Sequence, residues 1–324
     1  MIEQDDNFSL RPIKFENFIG QEKIKKNLKI YIEAAKNRNE SLDHILLFGS
    51  PGLGKTTLAK IIANEMNYKI HIINGASIEK QGDIASILAS INPGEILFID
   101  EIHRLSKTIE EILYHAMEDF KLISLSKNNN EVSPINIQLP PFTLIGATTN
   151  IGAISTPLKS RFSIIEKINF YETNELKKII MNASYILKTT INDDAAKMIA
   201  IRSRGTPRTA INLFKRARDF ANANNSLIIT KKIVETTFAN IKLNKLGLYD
   251  SDIEYLKTLA SRFHYKPVGL KTISHAMGED IKNIEEIYEP YLLRINFIDK
   301  TPRGRTLTDK GIEFLKTQNI KDND

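Results

Sequence analysis

The chain has 324 residues, too many for one hydrophobic core, so two or three domains are expected. Its 42% hydrophobic and 26% charged content is that of an ordinary globular protein, and the absence of Cys excludes a disulfide framework and thiolate metal sites. The net charge of +6 is concentrated: residues 1–170 hold 19 basic against 20 acidic groups, residues 171–244 hold 13 against 6, and residues 245–324 hold 13 against 13. The middle segment therefore carries either a polyanion-binding face or a solvated basic one, and charge alone does not choose between them.

The chain starts Met1-Ile2-Glu3-Gln4-Asp5-Asp6 without an apolar leader core, and no run of 18 apolar residues follows. A cytoplasmic location without membrane contact is expected. The six His show no repeated ligand spacing, so no zinc site is expected.

In chain order, Ile45–Phe48 is a short apolar run that enters a glycine-rich loop, and Thr56–Met66 reads as a helix. Ile70–Ile73, Ile96–Ile99 and Phe142–Ala147 are further apolar runs. Runs with little alternation suit central parallel strands covered on both faces, and their alternation with helices predicts a doubly wound α/β domain. Leu122–Leu125 and Ile135–Leu139 flank the polar stretch Lys127–Asn130, which predicts a projecting hairpin. From Thr173, an expected N-cap, the pattern turns helical, with helices expected over Asp193–Arg202 and Arg208–Asn222 and no strands of the earlier kind. After Leu243 come three short helical stretches. Asn296–Asp299, the turn Lys300–Arg305 and Thr306–Thr308 then read as strand, glycine turn, strand, which after helices suggests a winged helix. The expected domains are 1–172, 173–244 and 245–324.

Gly49-x-x-x-x-Gly54-Lys55-Thr56 matches the phosphate-binding P-loop pattern, with a strand before it and a helix after it. Gly49, Gly52 and Gly54 let the backbone wrap phosphates, and the helix start adds partial positive charge. Lys55 suits the β- and γ-phosphates, and the Thr56 hydroxyl suits Mg2+; Thr57 follows in the same turn. Asp100 ends an apolar strand at the edge where open parallel sheets bind ligands, placing it to organise Mg2+, with Glu101 next to polarise water. Arg161, in a polar turn, reads as an arginine finger for a neighbouring subunit or as a surface Arg. Arg208 reads as a nucleotide contact of the second domain or as part of a solvated cluster with Arg202 and Arg204. Arg303 and Arg305 flank Gly304, where two guanidiniums can bridge adjacent phosphates without reading sequence, with Lys300 and Thr301 beside them.

Together these motifs resemble the AAA+ ATPases and, within them, the RuvB family of bacterial Holliday-junction branch-migration motors, over residues 8–312. The resemblance rests on Arg11-Pro12, Phe18-Ile19-Gly20-Gln21, the P-loop and Asp100-Glu101-Ile102-His103-Arg104-Leu105. It extends through Met117-Glu118-Asp119-Phe120, Leu139-Pro140-Pro141-Phe142, Arg204-Gly205-Thr206-Pro207-Arg208, Tyr288-Glu289-Pro290-Tyr291-Leu292 and Thr301-Pro302-Arg303-Gly304-Arg305. It implies an AAA+ P-loop domain, a small helical lid and a C-terminal winged helix. It also implies that Arg161 is the finger, Arg208 sensor 2 and Thr149 or Thr148 sensor 1. Leu10, Arg11, Ile19, Tyr171 and Pro207 are similar to residues that bind the nucleotide base, and the hairpin to one that docks RuvA.

The implied working state is a homohexamer around duplex DNA, using ATP and Mg2+ with RuvA at Holliday junctions and RuvC as a further partner. The chain departs from the family at Ser50, where Pro is usual, and at Asn150, where Arg is usual. Lys159 and Ser160 replace an Arg-Asp pair beside Arg161. A clamp-loader-like or initiator AAA+ protein would share the ATP site without the wing or hairpin, and a nucleotide-dependent switch would not need Glu101 and Arg161.

Overall fold

The computed structural model describes residues 10–128 and 131–319. The chain folds as two compact units. One runs up to Lys188 and includes Gly205–Asn212; the other holds Thr189–Arg204 and the chain from Leu213 onward.

The first unit is built on a five-stranded parallel sheet. In chain order it contains helix α1 (Glu22–Arg38), strand β1 (Ile45–Phe48), α2 (Lys55–Met66), β2 (Ile70–Asn74), α3 (Gln81–Ala89), β3 (Ile96–Asp100) and α4 (Lys107–Glu118). The antiparallel hairpin β4 (Lys121–Asn128) and β5 (Glu131–Gln138) follows, then β6 (Thr143–Thr148), α5 (Thr156–Ser160), β7 (Ile164–Lys167) and α6 (Thr173–Ile186). The sheet order is β2-β3-β6-β1-β7. Three of the apolar runs are the central strands β1, β3 and β6, and every residue of β6 is buried, whereas Ile70–Ile73 lies in the half-exposed edge strand β2. Alternation sends Leu46, Leu97, Ile99 and Leu144 to one face, where they join Ile84 and Leu88 of α3 and Ile109, Leu113 and Ala116 of α4 in one core. α2 lies against β3 and β6 and also packs on α1.

Three local expectations change. The edge strand β7 pairs with β1 (Ile45 opposite Ile164) but was not expected, because Ile164-Ile165-Glu166-Lys167 is short and half polar. α6 does begin at Thr173, but its N-cap is Glu172: a capping box links Glu172 and Glu175, with the Glu172 amide donating to Glu175 Oε2 at 2.8 Å. The hairpin strands reach Asn128 and Glu131, while Asn129 and Asn130 lie outside the described residues.

In the second unit, the two-residue strands β8 (Thr190–Ile191) and β9 (Ile228–Ile229) pair in parallel, a pattern too short to read from sequence. Around them lie α7 (Asp193–Arg202), the later part of α8 (Pro207–Ala223) and α9 (Lys231–Asn240). The winged helix comprises α10 (Asp250–Ser261), α11 (Leu270–Met277), a helical run Ile281–Arg294 with a π-turn over Ile284–Tyr288, β10 (Ile298–Thr301), β11 (Gly304–Leu307) and a helix Asp309–Asn319. Its core gathers Tyr255, Leu256, Leu259, Ile273, Leu292, Phe297 and Ile298. Among the described residues no helix is long and apolar enough to cross a membrane.

One buried carboxylate ties the sheet's edge. Glu95, in the turn before β3, accepts the Asn92 amide at 3.0 Å and pairs with His71 of β2 at 2.7 Å. The Asn92 amide, aided by His71, holds its pKa at about 2 against the ordinary 4.5. Because the folded value is depressed, this stability is present above pH 4.5 and is lost as pH falls toward 2. Glu95→Gln is expected to cost about 2 kcal/mol at pH 7. The gap between wild-type and variant urea midpoints should close below pH 4.

Candidate functional site: a cleft over the P-loop

The loop between β1 and α2 opens into a cleft of about 400 Å3 lined only by first-unit residues. Its volume is that of an ordinary small-molecule site. Gly52 has φ +78°, and a Cβ there would stand 2.9 Å from Arg208 Cβ, so this loop requires glycine on two counts. Lys55 opens α2, and its Nζ donates to Gly49 O at 2.7 Å and Ser50 O at 3.1 Å. Burial pushes the Lys55 pKa down, while Glu101 and Asp100 oppose that shift. Thr56 Oγ1 donates to Asp100 Oδ2 at 3.3 Å. Hydroxyl and carboxylate oxygens set side by side are a donor set that suits a hard cation such as Mg2+.

Asp100 and Glu101 both line the cleft. Glu101 has left-handed backbone (φ 51°, ψ 43°), and its amide donates to Asp100 Oδ1 at 3.0 Å. Its Oε2 accepts from Thr149 Oγ1 at 3.3 Å and stands 3.4 Å from His103 Nδ1. Thr148, the other sensor candidate, is fully buried; its Oγ1 lies 2.9 Å from His103 Nδ1 and accepts the Asn150 amide. His103 was missed as a partner of Glu101, although it stands two residues away in the same motif.

The remaining walls come from further along the chain. Leu10, Arg11 and Ile19 line the cleft with Phe18, beside Gly54 and Thr57. Tyr171, whose hydroxyl donates to Leu53 O, stands nearby, and burial pushes its pKa up. Pro207, Arg208, Ile211 and Asn212 present one face of α8, while Ile179, Asn182 and Ala183 present one face of α6. Sequence reading missed the α6 group, although its i, i+3, i+4 spacing is a helical stripe. The Arg208 amide donates to Gly52 O at 3.3 Å, so Arg208 meets the P-loop through backbone as well as side chain.

Gly49, Thr149 and Arg161 do not line the cleft. Arg161 caps the end of α5, a short helix that Ser155 starts by accepting the Leu158 amide. Its guanidinium donates to Glu118 Oε2 at 2.9 Å and Pro157 O at 2.8 Å, and lies 4.5 Å from the Tyr114 ring centre. Glu118, on α4, fills the role of acidic neighbour at a place where Ser160 cannot.

At the wing, the strands run further into the expected turn than sequence suggested, leaving only Pro302 and Arg303 between them. Arg303 is exposed at the tip and has no acidic partner among the described residues. Arg305, the second of the two guanidiniums expected to bridge phosphates, binds Glu289 and Glu285. The Thr301 hydroxyl is also engaged, donating to Gly304 O at 2.8 Å.

Three family models cover this chain almost end to end: the Holliday junction DNA helicase RuvB P-loop domain over residues 10–168, the RuvB AAA lid domain over 171–244 and the RuvB C-terminal winged helix domain over 245–316. The chain belongs to the RuvB family. It is 48% identical over 313 residues to the Holliday junction branch migration complex subunit RuvB of Phytoplasma mali, covering 97% of this chain and 94% of that one. The RuvB of Limosilactobacillus reuteri matches at 48% over the same length, 97% of this chain and 93% of that one. The solved Thermotoga maritima RuvB Holliday junction branch migration motor superposes with a TM-score of 0.86 at 47% identity, covering 95% of this chain and 98% of that one. As a RuvB-family AAA+ ATPase, the chain combines a nucleotide-binding P-loop domain with a winged helix.

Proposed function

We propose that this chain is the ATP-hydrolysing subunit of a cytoplasmic homohexamer that pumps duplex DNA to drive Holliday-junction branch migration, together with RuvA and RuvC. Its functional division is three domains, 1–172, 173–244 and 245–324. The observation that carries the reading is one cleft holding Lys55, Thr56, Asp100 and Glu101 against Arg208, in a chain of the RuvB family. The apolar lining residues Phe18, Ile19, Ala183 and Ile211 accept the base, with Leu10, Arg11, Tyr171 and Pro207. The loop amides around Gly49, Gly52 and Gly54, with Lys55 and Thr57, hold the phosphates.

Thr56 and Asp100 would hold Mg2+, which supplies charge neutralisation at the phosphates when bound. Glu101 accepts the proton of the attacking water, held in place by Thr149 and His103. Arg161 lies outside its own subunit's cleft, which supports a role at a neighbour's γ-phosphate. Arg208 carries the nucleotide state into the lid, whose motion displaces the winged helix and its DNA. Arg303, exposed at the wing tip, meets a phosphate. Exposed Ile123 on the β4–β5 hairpin, on the face away from buried Leu122, suits an apolar contact with RuvA.

The deciding experiment is steady-state ATP hydrolysis with no DNA, with duplex DNA and with a four-way junction, each with and without RuvA. The motor reading expects stimulation by DNA, greatest on the junction with RuvA. Equal turnover in all six conditions overturns it.

A further inference from the structure

The motif Arg204-Gly205-Thr206-Pro207-Arg208 carries two arginines with different destinations. Arg208 lines the cleft, and Arg204 does not. Arg204, Gly247, Tyr249, Asp252 and Tyr291 all belong to the second unit. Arg204 follows α7 in the lid segment and has left-handed backbone at φ 51°. Its Nε donates to Gly247 O at 2.7 Å, and its Nη2 donates to Asp252 Oδ2 in a short charged contact. Two rings lie against the guanidinium, whose Cζ is 5.1 Å from the Tyr249 centre and 4.7 Å from the Tyr291 centre.

One lid side chain therefore reaches three pieces of the winged-helix segment: the connector that enters it, the start of α10 and the helical run Ile281–Arg294. Asp252 is buried, and its Oδ2 also accepts the Tyr249 amide at 2.7 Å. Burial pushes the Asp252 pKa up, and Arg204 opposes that shift. Removing one member of a buried pair leaves the other's desolvation uncompensated, so Asp252 holds Arg204 as firmly as it is held. A planar guanidinium can donate twice and stack on rings at once, which an ammonium cannot.

The connector is folded onto the same point. Asn244 Oδ1 accepts the amides of Leu246 and Leu248 at 2.9 Å each, and the Asn244 amide donates to Leu248 O at 2.9 Å. Gly247, at φ +75°, comes so close to the end of α7 that a Cβ would stand 2.7 Å from Arg202 O. The Tyr291 hydroxyl donates to Leu246 O at 2.6 Å. The chain between α9 and α10 is thus a closed loop pressed onto α7 and not a free tether.

We infer that Arg204 is the positioning residue that locks the winged helix to the lid, so that the two move as one lever. This rests on the reading that lid motion displaces the DNA. A swivel over residues 241–249 would absorb such a motion, and Arg204 removes the swivel. The motif then divides its labour, with Arg208 at the nucleotide and Arg204 at the joint.

The test uses the absence of Cys from the chain, which lets one spin-label pair be placed cleanly: Asn222→Cys on α8 and Glu313→Cys on the helix Asp309–Asn319, both exposed. Distances are measured in the full chain with ADP and with a non-hydrolysable ATP analogue, and again with Arg204→Gln, Asp252→Asn or both added. The parent pair should give one narrow distance that nucleotide does not change. Each variant should broaden it, and the double variant no more than either single, because all three cut one contact. The second readout is junction migration per ATP hydrolysed, with RuvA present. The variants should keep ATP turnover and lose about tenfold in migration per ATP, the scale of a broken coupling contact. An Arg204 that only stabilises the fold would lower turnover and migration together, and that result overturns the inference. So does an Arg204→Gln distance as narrow as the parent's. If the parent chain hydrolyses ATP without migrating junctions, the motor reading falls, while the spin distances still judge the lock. Should Arg204→Gln unfold the second unit, Asp252→Asn decides, since it breaks the ion pair and leaves the guanidinium and its two rings in place.

Discussion

Replacing Glu101 by Gln is expected to leave ATP bound and to slow its hydrolysis about 10^2- to 10^4-fold, the usual worth of a positioned general base. The substitution keeps the side chain's size and its acceptance of the Thr149 hydroxyl at 3.3 Å, so what it removes is the capacity to take a proton. Lys55→Ala is the control of opposite kind: it removes the ammonium that donates to Gly49 O and Ser50 O at the loop, so binding itself should weaken. Nucleotide binding by fluorescence, followed by single-turnover hydrolysis, separates the two. A Glu101→Gln protein that turns over ATP at the wild-type rate would remove Glu101 from the mechanism and reopen the choice of base.

Arg161→Ala is expected to lose about 10^3-fold in turnover with ATP affinity nearly unchanged, the loss that follows removal of an arginine finger. The geometry behind this is its direction: the guanidinium lies on Tyr114 and Glu118 and does not line its own cleft. Mixing is the sharper measurement. An Arg161→Ala subunit keeps an intact Glu101, and a Glu101→Gln subunit keeps an intact finger. Blending two inactive preparations should therefore restore turnover at the junctions where the good halves meet. Failure of every ratio to regain activity would argue that Arg161 acts within its own subunit or not at all.

The parts of the fold legible in sequence were those set by short-range physics. Ile45–Leu47, Ile96–Ile99 and the run ending at Ala147 are buried on both faces, so unbroken apolar stretches marked them. β7 was hidden because an edge strand needs only one covered side, and Ile164 alone of its four residues is buried. The P-loop and Asp100-Glu101 were legible because their chemistry demands adjacent residues. The α6 wall of the cleft was not, since Ile179, Asn182 and Ala183 look like any helix face until another element is set opposite. The pairing of Arg305 was hidden for a related reason. Its partner Glu289 lies 16 positions upstream, and nothing in the local turn distinguishes a cation facing a phosphate from one facing a buried acid.

The strand order has a consequence for tolerance to change. β6 lies between β1 and β3, so three neighbouring strand ends carry the P-loop, the threonine pair and the acidic pair in that order. Neighbouring strands stand about 4.8 Å apart, so the two outer strand ends are separated by about 10 Å, a spacing set by main-chain hydrogen bonds and by no side chain. The sheet thus serves as a ruler cut to the length of a triphosphate. Helices around it can drift in sequence without altering the gauge.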